Sequence, residues 1–259
     1  MTDAERAHSR DFVASLDKGL RVLLAFERRH AKLSLSEVAR LTGYTPATAR
    51  RLLMTLHTLG YLHTDGKRFW VSPRTLLLAR PYLMSRPAPQ TAQPVLDQLA
   101  ERTRQSASLG LLLDREVLII ARSTGRRTLS TGLGIGSLLP AFCSSIGRAV
   151  LSAWAPASVQ QYLAATPLEA WTPRTVQDLP SAIEQVAHCR SFGWAECDEE
   201  LELGVRSIAV PIVRPQQPTV AAVSLSVRAE RMSMAAFRQA HLAALLEARD
   251  ALAATVSFD

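Results

Sequence analysis

At 259 residues with 47% hydrophobic content, the chain is long enough for one large or two modest domains with buried cores, which excludes general disorder. Its formal net charge of +7 is unevenly placed: residues 1–80 hold 14 Lys+Arg against 7 Asp+Glu, and residues 81–259 hold 16 against 16. The basic excess on the N-terminal third points to a polyanionic partner, and no run of about 18 apolar residues offers a membrane span.

Residues 1–11 are polar and read as a flexible tail with no apolar signal region. Cys143, Cys189 and Cys197 make no even disulfide framework, so the expected setting is cytoplasmic, with reduced thiols. Phe12–Arg29 reads as a first helix with Leu16, Leu20, Leu23 and Leu24 on one face, placed to pack across the next two helices. Ser34 and Glu37 form a capping box, and Leu35, Val38, Ala39 and Thr42 line one side of the helix it opens. Gly43 supplies the sharp turn. Thr45 then caps another helix with Pro46 at its first position, where the missing amide is not needed.

That second helix buries a stripe of Ala49, Leu52, Leu53, Leu56 and Leu59 and leaves Ala47, Thr48, Arg50, Arg51 and Thr55 outward. Gly60 stops it, and Tyr61–His63 and Lys67–Val71 flank the hairpin turn Asp65-Gly66. A plain helical hairpin with a solvated face would suit Arg50-Arg51 alone. The cap, the Gly43 turn and the hairpin together describe a winged helix-turn-helix over residues 12–72, the shape that enters the major groove of double-stranded DNA. On that reading Arg50, Arg51, Lys67 and Arg68 hold phosphates, while Thr45, Ala47, Thr48 and Arg51 face base edges, with Thr55 on the same side.

Pro73 interrupts the chain, and Thr75–Met84 resumes as a linker helix within residues 73–86. Pro81, Pro87, Pro89 and Pro94 break up the adjoining stretch and set a domain boundary near residue 86. The second domain, residues 87–259, starts with a helix over Val95–Arg104, with Leu96, Leu99 and Ala100 inward. Two strands, Ala107–Leu113 and Glu116–Arg122, then pair through Asp114-Arg115. A further strand is read at Thr128–Ile135, before Gly136. Helices are read from Ser144 or Ser145 to Trp154, over Ala157–Ala165 and over Leu179–Ser191. Strands return at Trp194–Cys197, Ser207–Val213 and Val220–Val227, with a turn at 214–218, and Met234–Val256 closes the chain as a helix. The fold class is α+β, with an antiparallel sheet covered on one face.

No catalytic constellation emerges, and the chain is read as non-enzymatic. Gly132, Gly134 and Gly136 resemble the start of a dinucleotide fingerprint, but Ser137 holds the third position and Pro140 opposes a helix there, leaving a mobile loop. A nucleophile elbow at Ser145 would need glycine where Cys143 stands, and Cys143 itself has no histidine nearby in sequence, so it reads as a buried thiol. His188-Cys189 with Cys197 lacks zinc spacing and a fourth ligand, so no metal or cofactor is expected. The acidic run Glu196–Glu202 reads as a solvated loop or a helix start. Ser144, Ser145, Ser207, Ser224 and Ser226, by contrast, interrupt apolar segments, and Ser224 and Ser226 share a strand face. Hydroxyls with free amides at a helix start suit an anionic organic acid, although serines bonded to their own backbone would look the same.

FVASLDKGLRVLLAF, LSLSEVARLTGYTPATARRLLMTLHTLGYL, LGIGSLLPAFCSSIGRAVLSA and ECDEELELGVRSIAVPIV, in this order, resemble the IclR family of bacterial transcriptional regulators. SLLPAFCSSIGR and DEELELGVRSIAVP are most similar to its protocatechuate and 4-hydroxybenzoate group. The resemblance implies a homodimer or tetramer on palindrome-like operators and a GAF-like C-terminal domain that takes a small aromatic or dicarboxylic acid. It also implies RNA polymerase as a partner if the protein activates. Effector contacts would fall at Ser145, Ile146, Ser207, Ser224 and Ser226, beside Ser144. Phe142 replaces a frequent histidine and Ser207 a frequent cysteine, which argues against a glyoxylate-like or metal-assisted pocket. Arg148 stands where lysine is common, and Arg122, Arg148 or Arg206 can pair with a carboxylate or serve as a structural ion-pair partner. The competing readings are a family member that answers another small organic acid, an enzyme with a fused DNA-binding domain, and an architectural DNA binder without a ligand.

Overall fold

The computed structural model describes residues 11–26, 30–85, 87–125, 133–213 and 219–256. By its internal contacts the chain divides into two compact units, Met1–Ser85 and Arg86–Asp259.

The first unit opens with α1 (Ala14–Leu24), then a short strand β1 (Leu33–Ser34), α2 (Leu35–Thr42) and α3 (Pro46–Thr58). The capping box on α2 forms: Glu37 N donates to Ser34 Oγ and Ser34 N donates to Glu37 Oε2 at 2.8 Å. Gly43 ends α2 in the left-handed region at φ 71°, which the sharp turn into α3 requires. Strands β2 (Leu62–Thr64) and β3 (Arg68–Val71) form the hairpin, and β1 joins β3 to give the order β1-β3-β2, a third strand that the sequence pattern did not announce. Val22, Val38, Ala49, Leu53, Leu62 and Phe69 make one core. After a 3-10 turn at Pro73–Thr75, α4 (Leu76–Ser85) continues through Pro81.

The expected packing of the first helix is corrected here. Leu23 packs against the core as expected, but Leu16 and Leu20 are exposed and Leu24 is 73% exposed, because the helix turns Val22 inward instead. Leucines at positions 16, 20 and 24 lie on the side opposite Val22, so the helix cannot bury both sets at once. Leu59, assigned to the buried stripe of α3, is also exposed. Residues 27–29 lie outside the described residues.

The second unit begins with α5 (Pro87–Thr103), longer than the expected helix because Pro87 and Pro89 sit in its first turn and Pro94 is carried inside it. The prolines thus fail to break this segment. Next come β4 (Ser106–Leu113), β5 (Glu116–Thr124), β6 (Leu138–Pro140), α6 (Ser145–Ser152), α7 (Pro156–Ala164), α8 (Leu179–Phe192), β7 (Ala195–Asp198), β8 (Val205–Ile212), β9 (Ala221–Arg228) and α9 (Met234–Thr255). Among the described residues the six strands of this unit form one antiparallel sheet in the order β6-β5-β4-β9-β8-β7. Where a strand over Thr128–Ile135 was expected, residues 126–132 lie outside the described residues, and the strand on the far side of β5 from β4 is β6. The turn at 214–218 also lies outside them, as does Gly132.

The sheet is covered on both faces, not one. Ala107, Leu109, Ile208, Val210, Val223 and Leu225 pack against α5 and α9. Val117, Ile119, Ala209 and Ala222 pack on the other side, with Ile146, Ala149 and Val150 of α6. Alternation along each strand serves both layers, apolar on the first face and mixed small, apolar and hydroxyl on the second.

Candidate functional sites

The helix-turn-helix sites are built from local caps. Thr45 Oγ1 accepts from Thr48 N at 3.3 Å and donates to Thr48 Oγ1, and Pro46 opens α3. With Ala49, Leu53 and Leu56 buried, Ala47, Arg50, Arg51 and Thr55 are left exposed and Thr48 half-buried on one outward surface. Thr55 Oγ1 donates to Arg51 O, which ties that hydroxyl to its own helix. In the hairpin, Asp65 Oδ1 accepts from Lys67 N at 2.9 Å and from Arg68 N at 2.8 Å, so the tip is a preorganised turn that presents both side chains to solvent. Backbone donors from Arg68 and Lys67 hold the Asp65 carboxyl below its ordinary range. Lys32, not singled out by sequence, lies with its ammonium 4.5 Å from the Trp70 ring centre and adds a cation beside the wing. Its place directly before β1 was the available signal.

The second unit holds a cavity between α6 and the second face of the sheet, about 540 Å³ counting its open mouth. Ser144, Ser145, Ile146, Ser207, Ser224 and Ser226 all line it. Ser144 caps α6 by accepting from Gly147 N, which brings the helix start to the cavity. The helix lies close because Gly147 faces Ala141 backbone that any β-carbon would strike. Ser145 Oγ donates to Ser207 Oγ at 2.8 Å, across from helix to sheet. Ile119, Leu133, Leu139 and Leu201 supply apolar wall.

The registers arrange the sheet side of this cavity in two rows. Ser207 of β8 pairs with Ser226 of β9, and Ser226 with Ser106 of β4. One step along the strands, Ser224 pairs with Ser108, and Ser108 with Arg122 of β5. Arg122 lines the cavity and donates through Nη1 to Ser108 Oγ at 2.7 Å; burial pushes its pKa down. Ser108 and Glu202 were not anticipated as lining residues, though the alternation Ser106, Ser108, Gly110 carried the signal for the former.

Arg148 does not line the cavity, against expectation. It is buried in a two-pronged ion pair with Glu200, Nη1–Oε1 2.5 Å and Nη2–Oε2 2.6 Å, and also donates to the carbonyls of Phe142 and Glu196. Arg206 likewise pairs with Asp198 at 2.6 Å and donates to the carbonyls of Ala229 and Met232. Of the three arginines considered, Arg122 is the one at the cavity. The acidic run is corrected too: it forms β7 and its following loop, with Glu200 buried. Cys143 is fully buried, and desolvation pushes its thiol up to about 12, the setting of an inert core residue. Among the described residues no cluster of His, Cys, Asp and Glu is placed to hold a metal ion, and no helix is long and apolar enough to cross a membrane.

A helix-turn-helix that presents arginines outward and, on the same chain, a domain with a hydroxyl-lined cavity define a ligand-responsive transcription factor. The comparisons agree. Residues 15–66 match the IclR helix-turn-helix domain and residues 81–254 match the bacterial transcriptional regulator IclR C-terminal domain. The chain is 38% identical over 239 residues to the Pca regulon regulatory protein of Pseudomonas putida, covering 92% of this chain and 82% of that protein. A transcriptional regulator of Rhodococcus sp. RHA1 superposes with a TM-score of 0.78 at 34% identity over 95% of this chain and 98% of that one. The inducer-binding domain of the PobR transcription factor from Acinetobacter, a double mutant in complex with 3-hydroxybenzoic acid, superposes with a TM-score of 0.59 at 28% identity, over 64% of this chain and 97% of that one. The chain belongs to the IclR family of bacterial transcriptional regulators.

Proposed function

We propose that this regulator controls an operon for the breakdown of aromatic acids of the protocatechuate and 4-hydroxybenzoate class and takes such an acid in the cavity under α6. Residues 12–72 read the operator, residues 73–86 link, and residues 87–259 bind the effector. The observation that carries the reading is the cavity itself: apolar walls for a ring, a hydroxyl set of Ser145, Ser207, Ser224 and Ser226, and a helix start capped by Ser144. The Pca regulon protein and the 3-hydroxybenzoic acid complex, both relatives, support the effector class.

On the DNA side, Arg50, Arg51, Lys67 and Arg68 hold phosphates, and Thr45, Ala47 and Thr48 meet base edges, with Thr55 close by. The protein acts in the cytoplasm as a homo-oligomer, with half-sites about 34 Å apart or a multiple of that. The exposed leucines of α1, four residues apart, support self-association. An effector shifts operator binding only if it binds two arrangements of the protein unequally. If the protein activates, RNA polymerase is a further partner.

A thermal-shift screen against protocatechuate, 4-hydroxybenzoate, β-ketoadipate, cis,cis-muconate and glyoxylate, with and without the upstream DNA, tests this reading. A saturating effector stabilises the folded state by about 3 kcal/mol, a shift of several degrees. Stabilisation by glyoxylate alone, or by none of the five while DNA binding is intact, rejects the aromatic-acid class.

A further inference from the structure

The recognition helix α3 offers a restricted set of groups to a base edge, and we propose that it reads A·T pairs through the C5-methyl group of thymine, using Ala47 and Met54. This rests on the proposed operator binding by residues 12–72 and adds what is read there.

The helix, PATARRLLMTLHT, contains no Asn, Gln, Asp or Glu. It therefore lacks the amides that pair with adenine through two hydrogen bonds and the carboxylates that accept from the cytosine amine. Its hydroxyls are largely committed to the helix itself. Thr45 Oγ1, at the cap, accepts from Thr48 N and donates to Thr48 Oγ1, and Thr55 Oγ1 donates to Arg51 O. The bonding capacity that a threonine keeps serves either kind of base. His57 Nδ1 lies 3.0 Å from Leu62 O, which directs that ring to the hairpin.

What remains on the outer surface is cationic or apolar. Ala49, Leu53 and Leu56 bury one side of α3, and Ala47 and Met54, seven residues apart and so on one line, lie on the opposite side. Met54 is 41% exposed, a large apolar side chain facing away from the core. Arg50 and Arg51 stand exposed to either side of that line, and the wing adds the exposed Lys67 and Arg68. An apolar line between cations suits the major groove, where phosphates draw the cations and thymine presents its methyl group. At 1.5 Å per residue Ala47 and Met54 are about 10 Å apart along the axis, enough for two separate base pairs.

Selection of the full-length protein on duplexes randomised over about 30 base pairs, room for two half-sites a turn apart, supplies the probe. The selection is run with and without the acids of the thermal-shift screen. In the best-selected duplex each thymine of a half-site is then replaced singly by deoxyuridine, which removes the C5-methyl group and keeps every hydrogen-bonding group. Affinity is read by fluorescence anisotropy. Uracil at two or more positions of each half-site weakens binding about fourfold apiece, the worth of one buried methyl group. Met54→Ala makes the protein indifferent to uracil at one of those positions and Ala47→Gly at another, while the remaining positions keep their effect. Both residues are exposed on the side away from the core, so the head keeps its fold in either variant. General damage would lower affinity for the thymine and uracil duplexes alike. Uracil tolerated at every position, with tight binding intact, overturns the proposal, and so does a uracil effect that neither variant alters. If no duplex is enriched under any condition, operator binding by residues 12–72 falls together with this inference.

Discussion

Arg148 and Glu200 face each other through two parallel hydrogen bonds inside the effector domain, with the arginine side chain 1% exposed and the glutamate 11%. The arginine belongs to the helix that opens at the cavity, and the glutamate to the loop that supplies Leu201 and Glu202 to the cavity wall. The pair therefore ties together two walls of the cavity without lining it.

Arg148→Met leaves Glu200 buried and unpaired, and the expected loss is about 3–5 kcal/mol. The double variant Arg148→Met/Glu200→Leu recovers much of it, since neither charge then lacks a partner. Urea unfolding followed by tryptophan fluorescence measures both. A single variant as stable as the natural chain would show that the clamp contributes nothing.

Arg51→Ala weakens operator binding and reduces the slope of log affinity against log salt by about one, the signature of one lost phosphate contact. Lys67→Ala behaves the same way if the wing tip touches the backbone. Binding measured by fluorescence anisotropy at several salt concentrations checks each; an unchanged slope removes that residue from the phosphate set.

Glu37 accepts from Ser34 N and Oγ, and those donors lower its pKa below 4.5. A carboxylate depressed on folding contributes stability above its unfolded value and loses it as pH falls through the folded one. The DNA-binding head should therefore lose stability progressively below about pH 4.5, and Glu37→Gln should flatten that decline. Thermal melts from pH 3 to 7 (roughly the carboxylate range) read the difference, and parallel curves for the two proteins would contradict it.

All three cysteines are buried, and desolvation raises their pKa values, Cys143 to about 12. In the native protein at pH 8 a thiol reagent should label them slowly, and in denaturant it should label all three at once. Rapid native labelling of Cys143 would mean that the region under α6 opens readily.

Gly147→Ala places a methyl group against the backbone of Ala141, which has no room to yield. The expected cost is at least about 3 kcal/mol, with effector binding lost while isolated operator contacts survive. A variant that binds ligand normally would show that the helix can stand further from the sheet.

Much of the head was legible in the sequence because its signals are local. Ser34 with Glu37, Gly43, Thr45-Pro46 and Asp65-Gly66 each specify geometry within four residues, and each forms as read. Leu16, Leu20 and Leu24 misled because periodicity reports an apolar face without saying what covers it. Ser207, Ser224 and Ser226 were legible as interruptions in apolar strands. Arg148 was not, since its partner Glu200 lies 52 positions away and only the fold brings them together. Ser108 was signalled by the alternation Ser106, Ser108, Gly110, whereas Glu202 lies in the loop after β7, whose course no local pattern fixes.

Strand β9 spells two texts in alternate letters. Ala221, Val223, Leu225 and Val227 belong to the core, while Ser224 and Ser226 look into the cavity. Because the two sets share a backbone but no side-chain neighbours, a change of taste can occur at one without loosening the other. The lining of the cavity can therefore be rewritten at every second residue of this strand while the core layer keeps its packing.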